Sequence, residues 1–394
     1  MGKRVAPGIE KLGEQHYRIW WTEQGGRLRS KVFRGPLAQA KKSRRAILES
    51  IERREYVVTS KKTLRDFRDE YIRARRLKQD GSPGTLKRYE SLLGGTLDEH
   101  LGWRRLQEIE DAHIDEYYLW ALENEETRYR DESGDLRKVS PQTIIKRHQA
   151  LKMLLKDAVR RREISKNPSD TVSPPPRRRP EGVAFEASEV KTILAAMEGG
   201  LAVKVRVAFF TGLRRSEVLG LRKTDLALDG DRPTITVSGK VLEGDGPLRW
   251  APFPKSYHSK RTIDIDTETR DVLKAWLKEQ ARRRIALGRA WEHPELVFTT
   301  AAGRIVSPND LSRDFRRVIV ALAGDGSIET RGGTFHSTRH THATILLKTG
   351  VRVSVVAERL GHKDEMTTLL YYSHVIPKED GHAVRAFVDA IAAA

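Results

Sequence analysis

Four short stretches in the C-terminal half of the chain concentrate side chains that could hold an anion beside a nucleophile. They are TGLRRSEVLGLR (211–222), PKSYHSKRTI (254–263), HSTRH (336–340), and LGH (360–362) followed by the doubled tyrosine of LLYYSHV (369–375). In HSTRH, His336, Arg339 and His340 stand at i, i+3 and i+4 and so share one helical face, with Thr334 or Ser337 placed to cap the helix start. The opening turn of a helix offers free N–H groups and a favourable dipole to an anion. Arg214 follows a glycine turn, and Glu217 comes one turn later, where a carboxylate can hold the guanidinium in place. Taken singly, an arginine three residues before a glutamate is an ordinary surface ion pair, and an HxxxH pair is commonly two solvated or core histidines. Taken together, two arginines and two or three histidines around one anion make a phosphate cradle. Tyr371 or Tyr372 could supply an attacking oxygen, but adjacent helical residues point about 100° apart, so only one can face the same phosphate. The HSTRHTH run also raises zinc; the hydrolytic zinc pattern needs a glutamate after the first histidine, and Ser337 stands there.

The charge balance fits that chemistry. A formal charge of +19 over 394 residues suits a protein that neutralises many phosphates; the plainer reading is an arginine-rich soluble surface. The length suits two or three domains. The absence of cysteine excludes disulfides, thiolate nucleophiles and cysteine-based zinc sites. With no run of about 18 apolar residues and no apolar leader, a cytoplasmic protein without a membrane partner is expected.

The elements that must position these groups fall into three stretches. First, Tyr17, Ile19 and Trp21 alternate, EQGG turns the chain, and RLRSKVF resumes with Leu28 and Val32 opposite Arg27, Arg29 and Lys31: a hairpin with one basic face. A helix from about Ala38 to Tyr56 would cover it, and such a sheet can lie in a DNA groove; equally, the basic face could be a solvated edge. Second, helical periodicity runs from about Thr63 to Ile164, starting near Pro83 and Thr85 for one helix and at Ser140–Pro141 for the clearest, where Ile144, His148, Leu151, Leu155 and Ala158 repeat at three and four. The polar stretch ENEETRYRDESGDLRK between them reads as an exposed connection. Proline density from Asn167 to Gly182 marks a boundary, and its Arg177, Arg178 and Arg179 would follow a polyanion. Third comes a mostly helical domain, in which TITV (234–237), RWAPFP (249–254) and RTIDI (261–265) predict three antiparallel strands.

With TGLRRSEVLGL, HSTRH, LGH and a tyrosine followed by Ser-His-Val in this order, the chain resembles a tyrosine recombinase of the phage-integrase family from about Phe185 to Val375. The preceding segments resemble the family's other modules by layout more than by motif. The resemblance implies a multidomain, mainly α fold with small β-sheets: an arm-type DNA-binding module of sheet plus helix (1–58), a helical core-binding domain (59–172), a linker (173–184), and a mixed α/β, mostly helical catalytic domain with a C-terminal tail helix (185–394).

The family's nucleophile commonly lies ten residues after the LGH histidine, which selects Tyr372. Arg214 and Arg339 would stabilise the pentacoordinate state, His362 would donate a further hydrogen bond, and His336 is the candidate base with solvent as competitor; Glu217 and His340 would support. A phenol of pKa near 10 lies about 4 kcal/mol from phenolate at pH 7, so its proton must leave as it attacks. A hairpin lysine would protonate the leaving 5′ oxygen. The family's common lysine position holds Tyr257, which leaves Lys255, favoured for its place near the hairpin tip, and Lys260. Thr338 stands where leucine is frequent, at a position that would face packing.

The implied partner is double-stranded attachment-type DNA, bound by a tetramer, with accessory DNA-bending or directionality proteins, and no metal, ATP or other cofactor. The layout leans towards a mobile-element integrase, nucleoid-associated when bound. The apolar side of the tail, with Val384, Phe387, Val388 and Ile391, could dock on a neighbouring subunit or on its own domain. The rival functions are type IB topoisomerase-like relaxation, a non-catalytic DNA-binding protein and a metal-dependent nuclease. The first lacks a reason for the N-terminal module, the second for the full residue set, and the third lacks clustered acids.

Overall fold

The structure, a computed structural model, describes residues 3–23, 26–53, 56–78, 83–130, 134–176, 182–243, 246–253, 260–329, 332–375 and 388–392. The chain divides into two units, Met1–Arg178 and Arg179–Ala394.

The first unit holds two separate cores. Strands β1 (Lys3–Ala6), β2 (Ile9–Gly13), β3 (His16–Thr22) and β4 (Leu28–Arg34) form an antiparallel meander in that order. Ile9, Tyr17, Ile19 and Trp21 are buried beneath α1 (Leu37–Glu52), which packs through Ala40, Ile47 and Ile51. The register sets Tyr17 opposite Phe33, Ile19 opposite Lys31 and Trp21 opposite Arg29. Arg29 and Lys31 therefore lie on the helix-bearing side, while Leu28 (68% exposed) and Val32 are on the outer face with Arg18 and Arg34. The expected alternation is present with its polarity reversed. Strand β4 is an edge, so inward-pointing basic chains can run past the helix to water, and only Phe33 packs.

The second core is helical: α2 (Leu64–Leu77), α3 (Pro83–Leu93), α4 (Thr96–Leu101), α5 (Asp111–Asn124) and α6 (Pro141–Arg160). They bury Phe67, Leu97, Ile114, Ile144, Leu151 and Leu155. Ser140 caps α6 by accepting the Thr143 N–H, and Pro141 occupies the first turn, where a missing N–H costs nothing. The polar stretch before it is a hairpin and not a bare connection: β5 (Glu126–Arg130) pairs with β6 (Leu136–Lys138). Pro168, Ser169 and Val172 are buried, Val172 within the helical core, so the proline-rich stretch begins as packed chain. Its Arg177, Arg178 and Arg179 lie outside the described residues.

The second unit is built around α8 (Gly199–Thr211), whose residues are apolar almost all round, the mark of a buried helix. Around it pack α7 (Ala187–Ala195), α9 (Arg215–Leu219), α10 (Thr267–Leu287), α11 (Pro308–Gly324) and α12 (Ser337–Lys348), and α13 (Val353–Leu360) and α14 (Glu365–Tyr372) pack in turn on α12. The strands form two small antiparallel sheets. Strands β7 (Leu226–Ala227) and β11 (Arg261–Asp264) flank β8 (Thr234–Val237), and β9 (Gly239–Leu242) pairs with β10 (Arg249–Pro252). The RWAP strand thus pairs with a neighbour not foreseen from the sequence, and only the TITV and RTID strands pair with each other.

Phe185, Val205, Phe209, Leu219, Ile235, Ile263, Phe298, Phe315 and Phe335 share the main core, and Ala343, Leu347, Val356, Leu360 and Tyr372 form a smaller one. Of the tail, Val388 and Ile391 are exposed, whereas Val384 and Phe387 lie outside the described residues. Among the described residues, no helix is long and apolar enough to cross a membrane.

Candidate active site

Arg214 is the N-cap residue of α9, two residues after the left-handed turn at Gly212. Its backbone N–H and its guanidinium both donate to Glu217, at 3.0 and 2.8 Å. Glu217 is only 2% exposed, and its second oxygen also accepts from Arg261 at 3.0 Å. Burial alone would raise its carboxyl pKa, but Arg261 and Arg214 together hold it below the usual carboxylate range. Arg261 was not singled out in the sequence, yet its buried guanidinium ties Glu217 to the Arg359 carbonyl at 2.6 Å. That carbonyl lies in the last turn of α13, immediately before Gly361 and His362. One strand residue thereby links the turn bearing Arg214 to the turn bearing His362.

The first turn of α12 carries three of the expected residues. Arg339 is buried and donates to the carbonyls of Gly212 at 2.8 Å and Leu360 at 2.7 Å. These are the C-terminal ends of α8 and α13, where the partial negative charge suits a guanidinium. Burial and neighbouring Arg214 lower the Arg339 pKa to about 9, which leaves it charged at neutral pH. Neither Thr334 nor Ser337 caps the helix: the N-cap residue is His336, already in helical conformation and without a side-chain bond, and the Ser337 hydroxyl accepts the Thr334 N–H instead. Thr338 is fully buried, with its hydroxyl donating to the Phe335 carbonyl, so this departure from the family pattern is absorbed by packing.

Helix α13 ends at Leu360, and Gly361 takes the left-handed conformation (φ 64°) that closes it. A Cβ at Gly361 would come within 2.8 Å of the Arg261 guanidinium, so both conformation and contact demand glycine there. His362 follows, with Nδ1 2.8 Å from the Thr368 hydroxyl. Its pKa is pushed down to about 4 by burial, then by Arg339, Arg214 and Arg261. The His336 ring keeps an open edge, yet crowding by protein atoms and the cations around it lowers its pKa to about 4 as well. At neutral pH the guanidiniums therefore carry the positive charge, and the imidazoles are neutral hydrogen-bonding groups.

The two tyrosines separate cleanly. Tyr371 is 58% exposed, whereas Tyr372, the last residue of α14, is 5% exposed and packs in the smaller core. The Tyr372 hydroxyl lies 2.8 Å from Nδ1 of His340, not on His336, the base expected from the family. Burial pushes its pKa up to about 12, opposed by Arg339.

The remaining expectations fall outside this cluster. Lys255 lies outside the described residues, and Lys260 is exposed immediately before β11. On the N-terminal sheet, Arg29 is paired with Glu23 at 2.6 Å, and Arg27 and Lys31 are exposed. His342, in the same run as His336 and His340, turns the other way: its Nδ1 donates to the Phe209 carbonyl at 2.8 Å and Arg359 approaches its Nε2. Among the described residues no group of three or more His, Asp or Glu is placed to share a metal ion.

A mainly helical domain that packs one tyrosine hydroxyl beside a histidine and an arginine holds the groups that phosphoryl transfer to a protein nucleophile would need. Residues 184–379 match the model of the phage integrase family. A XerC-like tyrosine recombinase from Caldanaerobacter subterraneus is 26% identical over 96% of this chain and 97% of its own length. The tyrosine recombinase XerC of Mycobacterium sp. (strain KMS) is 30% identical over 59% of this chain and 72% of the relative. Among solved structures, the Tn1549 transposon integrase in complex with transposon right-end DNA superposes with a TM-score of 0.64, at 20% identity, over 84% of this chain and 99% of that one. A lambda integrase dimer bound to a core site gives 0.55 at 17% identity, over 94% and 96%. The chain belongs to the phage integrase family, the tyrosine recombinases, and is a site-specific DNA recombinase.

Proposed function

We propose that Tyr372 is the nucleophile, attacking a DNA backbone phosphate to form a 3′-phosphotyrosyl link that the 5′-hydroxyl of another strand then resolves. The observation that carries this reading is the burial of the Tyr372 hydroxyl within the Arg339–His340 cluster while Tyr371 faces away. Arg214 and Arg339, anchored on Glu217 and on the Gly212 and Leu360 carbonyls, would turn their remaining N–H groups to the non-bridging oxygens, where charge builds in the transition state; a well-placed donor of this kind gives about 3 kcal/mol. His336 and His362, neutral beside them, donate further hydrogen bonds. Lys255 is the proposed acid for the leaving 5′ oxygen, with Lys260 the alternative. The bond energy is conserved in the phosphotyrosine, so no nucleotide need be consumed.

The helical module of residues 59–172 and the catalytic domain of 185–394 would hold the core site, and the sheet module of 1–58 a separate arm site, with the linker arginines Arg177, Arg178 and Arg179 on the phosphates between. Within the sheet module, the outer face with Arg18, Arg34, Leu28 and Val32 is the side left open by α1, and the one we assign to DNA. Lambda integrase has been solved as a dimer on a core site and as a tetramer on a Holliday junction. The same tetramer is the working form we propose here, acting on attachment-type DNA sites in the cytoplasm, with accessory DNA-bending or directionality proteins.

The test is strand transfer on attachment DNA. A nicked core-site duplex that sheds its short 5′-hydroxyl fragment should trap the protein covalently, and a supplied 5′-hydroxyl strand should release it with a rejoined product. Relaxation of supercoiled DNA lacking any such site, without strand exchange between sites, would favour the topoisomerase reading instead.

A further inference from the structure

This inference rests on Tyr372 as nucleophile and concerns its proton. We propose that His340, and not His336, takes the proton of Tyr372 as it attacks and returns it when the strands rejoin. Nδ1 of His340 lies 2.8 Å from the hydroxyl, within reach for direct transfer. The ring is fixed on two further sides. His336 packs against it edge to face, with ring centres 4.8 Å apart. On another side lies the backbone of Gly182, where an added Cβ would stand 2.7 Å from His340 Nδ1 and Cε1.

A ring held this way cannot swing off the phenol without displacing the chain at Gly182, in the linker just before the catalytic domain. Burial and Arg339 also favour its neutral form, which leaves Nδ1 an acceptor when Nε2 carries the hydrogen. His336 is the more open of the two and sits nearer the cations, among Arg339, Arg214 and Arg215, which suits a phosphoryl oxygen better than the buried phenol.

The step balances. The Oη–H bond of Tyr372 breaks and its proton goes to Nδ1 of His340 while Oη bonds to phosphorus. The P–O5′ bond then opens, and that oxygen takes a proton from the hairpin lysine. Rejoining runs each transfer backwards.

Single-turnover trapping on the nicked duplex tests this, with DNA binding measured in parallel. His340→Ala should bind DNA and lose about 10²–10⁴-fold in adduct formation, the range of a general base. His340→Gln, which keeps a hydrogen-bonding group but no basicity, should stay low. Imidazole added to His340→Ala should restore the adduct, faster for ring-substituted imidazoles of higher pKa, which a packing role would not produce. The proposal is overturned if His340→Ala cleaves within threefold of wild type, if His340→Gln regains the rate, or if no imidazole rescues. Should His340→Ala fail to bind DNA, the Gln variant decides alone: a low rate supports the proposal and a near-wild-type rate overturns it. Absence of a Tyr372 adduct in the wild-type protein would remove the nucleophile assignment and this inference with it, whereas a normal Tyr372 adduct in His340→Ala removes only this inference.

Discussion

Glu217→Gln isolates the ion-pair cluster that holds Arg214, and its two halves weigh differently. The Arg261–Glu217 side chains are 4% and 2% exposed, whereas Arg214 is 38% exposed. Leaving a buried guanidinium without its carboxylate costs about 3–5 kcal/mol, while the half-exposed Arg214 contact contributes under about 1 kcal/mol after solvent screening. The amide of Gln also sets an NH2 group against one of three donors that now point at carboxylate oxygens.

For a domain of this size the melting temperature should fall by roughly 10 °C. Cleavage by the surviving fold should drop about 10–100-fold, less than the 10²–10³ expected for losing a transition-state donor outright. The pH dependence has a definite sign. The folded pKa of Glu217 lies below its unfolded value, so its stabilisation is complete above the ordinary carboxylate range and is lost as pH falls through the depressed pKa. The gap in melting temperature between wild type and Glu217→Gln should therefore be widest at neutral pH and close in acid. Thermal melts across pH and single-turnover cleavage measure both. A variant that melts within 2 °C of wild type at pH 7 and cleaves within twofold would refute the claim that this buried cluster positions Arg214.

Three other outcomes follow from the same geometry. The acid limb of kcat/KM should lie below pH 6.5, because burial and then Arg339 hold the pKa of His340, the proposed base, below its ordinary value in the free protein; a limb at 6.5 or above would contradict the crowded, cationic site. On DNA with a bridging 5′ thiolate, whose leaving group needs no proton, Lys255→Ala should recover cleavage while any defect of Lys260→Ala should persist; the reverse would exchange their roles. Removing Arg18 and Arg34 together should weaken binding to full attachment DNA and flatten its salt dependence, with core-site cleavage kept, whereas removing Arg29 and Lys31 should do less; equal effects from the two pairs would show that the outer face is not the DNA face.

Much of the candidate cluster could be read from the chain because its groups sit at fixed helical spacings, as His336, Arg339 and His340 do, or at a glycine-closed helix end, as His362 does. The choice of Tyr372 needed the family resemblance, since periodicity alone offers both tyrosines. Arg261 was invisible: one basic residue among 73 lysines and arginines, in a four-residue strand, acquires its role only when β11 is laid beside α9 and α13. His340 was legible as a neighbour and not as the partner of the phenol, because that contact joins residues 32 apart. The outer and inner faces of the N-terminal sheet were exchanged for a related reason. Alternation fixes which residues share a side, but only the cross-strand register and the position of α1 decide which side is covered.

The central claim is that a buried Tyr372 makes the covalent bond while its exposed neighbour does not. With a phenol pKa of about 12, the free phenolate lies roughly 7 kcal/mol uphill at pH 7, so the bond must form with proton transfer in place and not from a standing anion. The direct measurement is mass analysis of the digested protein–DNA adduct trapped on the nicked core-site duplex. The nucleotide should be found on Tyr372, Tyr372→Phe should bind DNA and give no adduct, and Tyr371→Phe should still give one. An adduct mapped to Tyr371, or one that persists in Tyr372→Phe, would contradict the account.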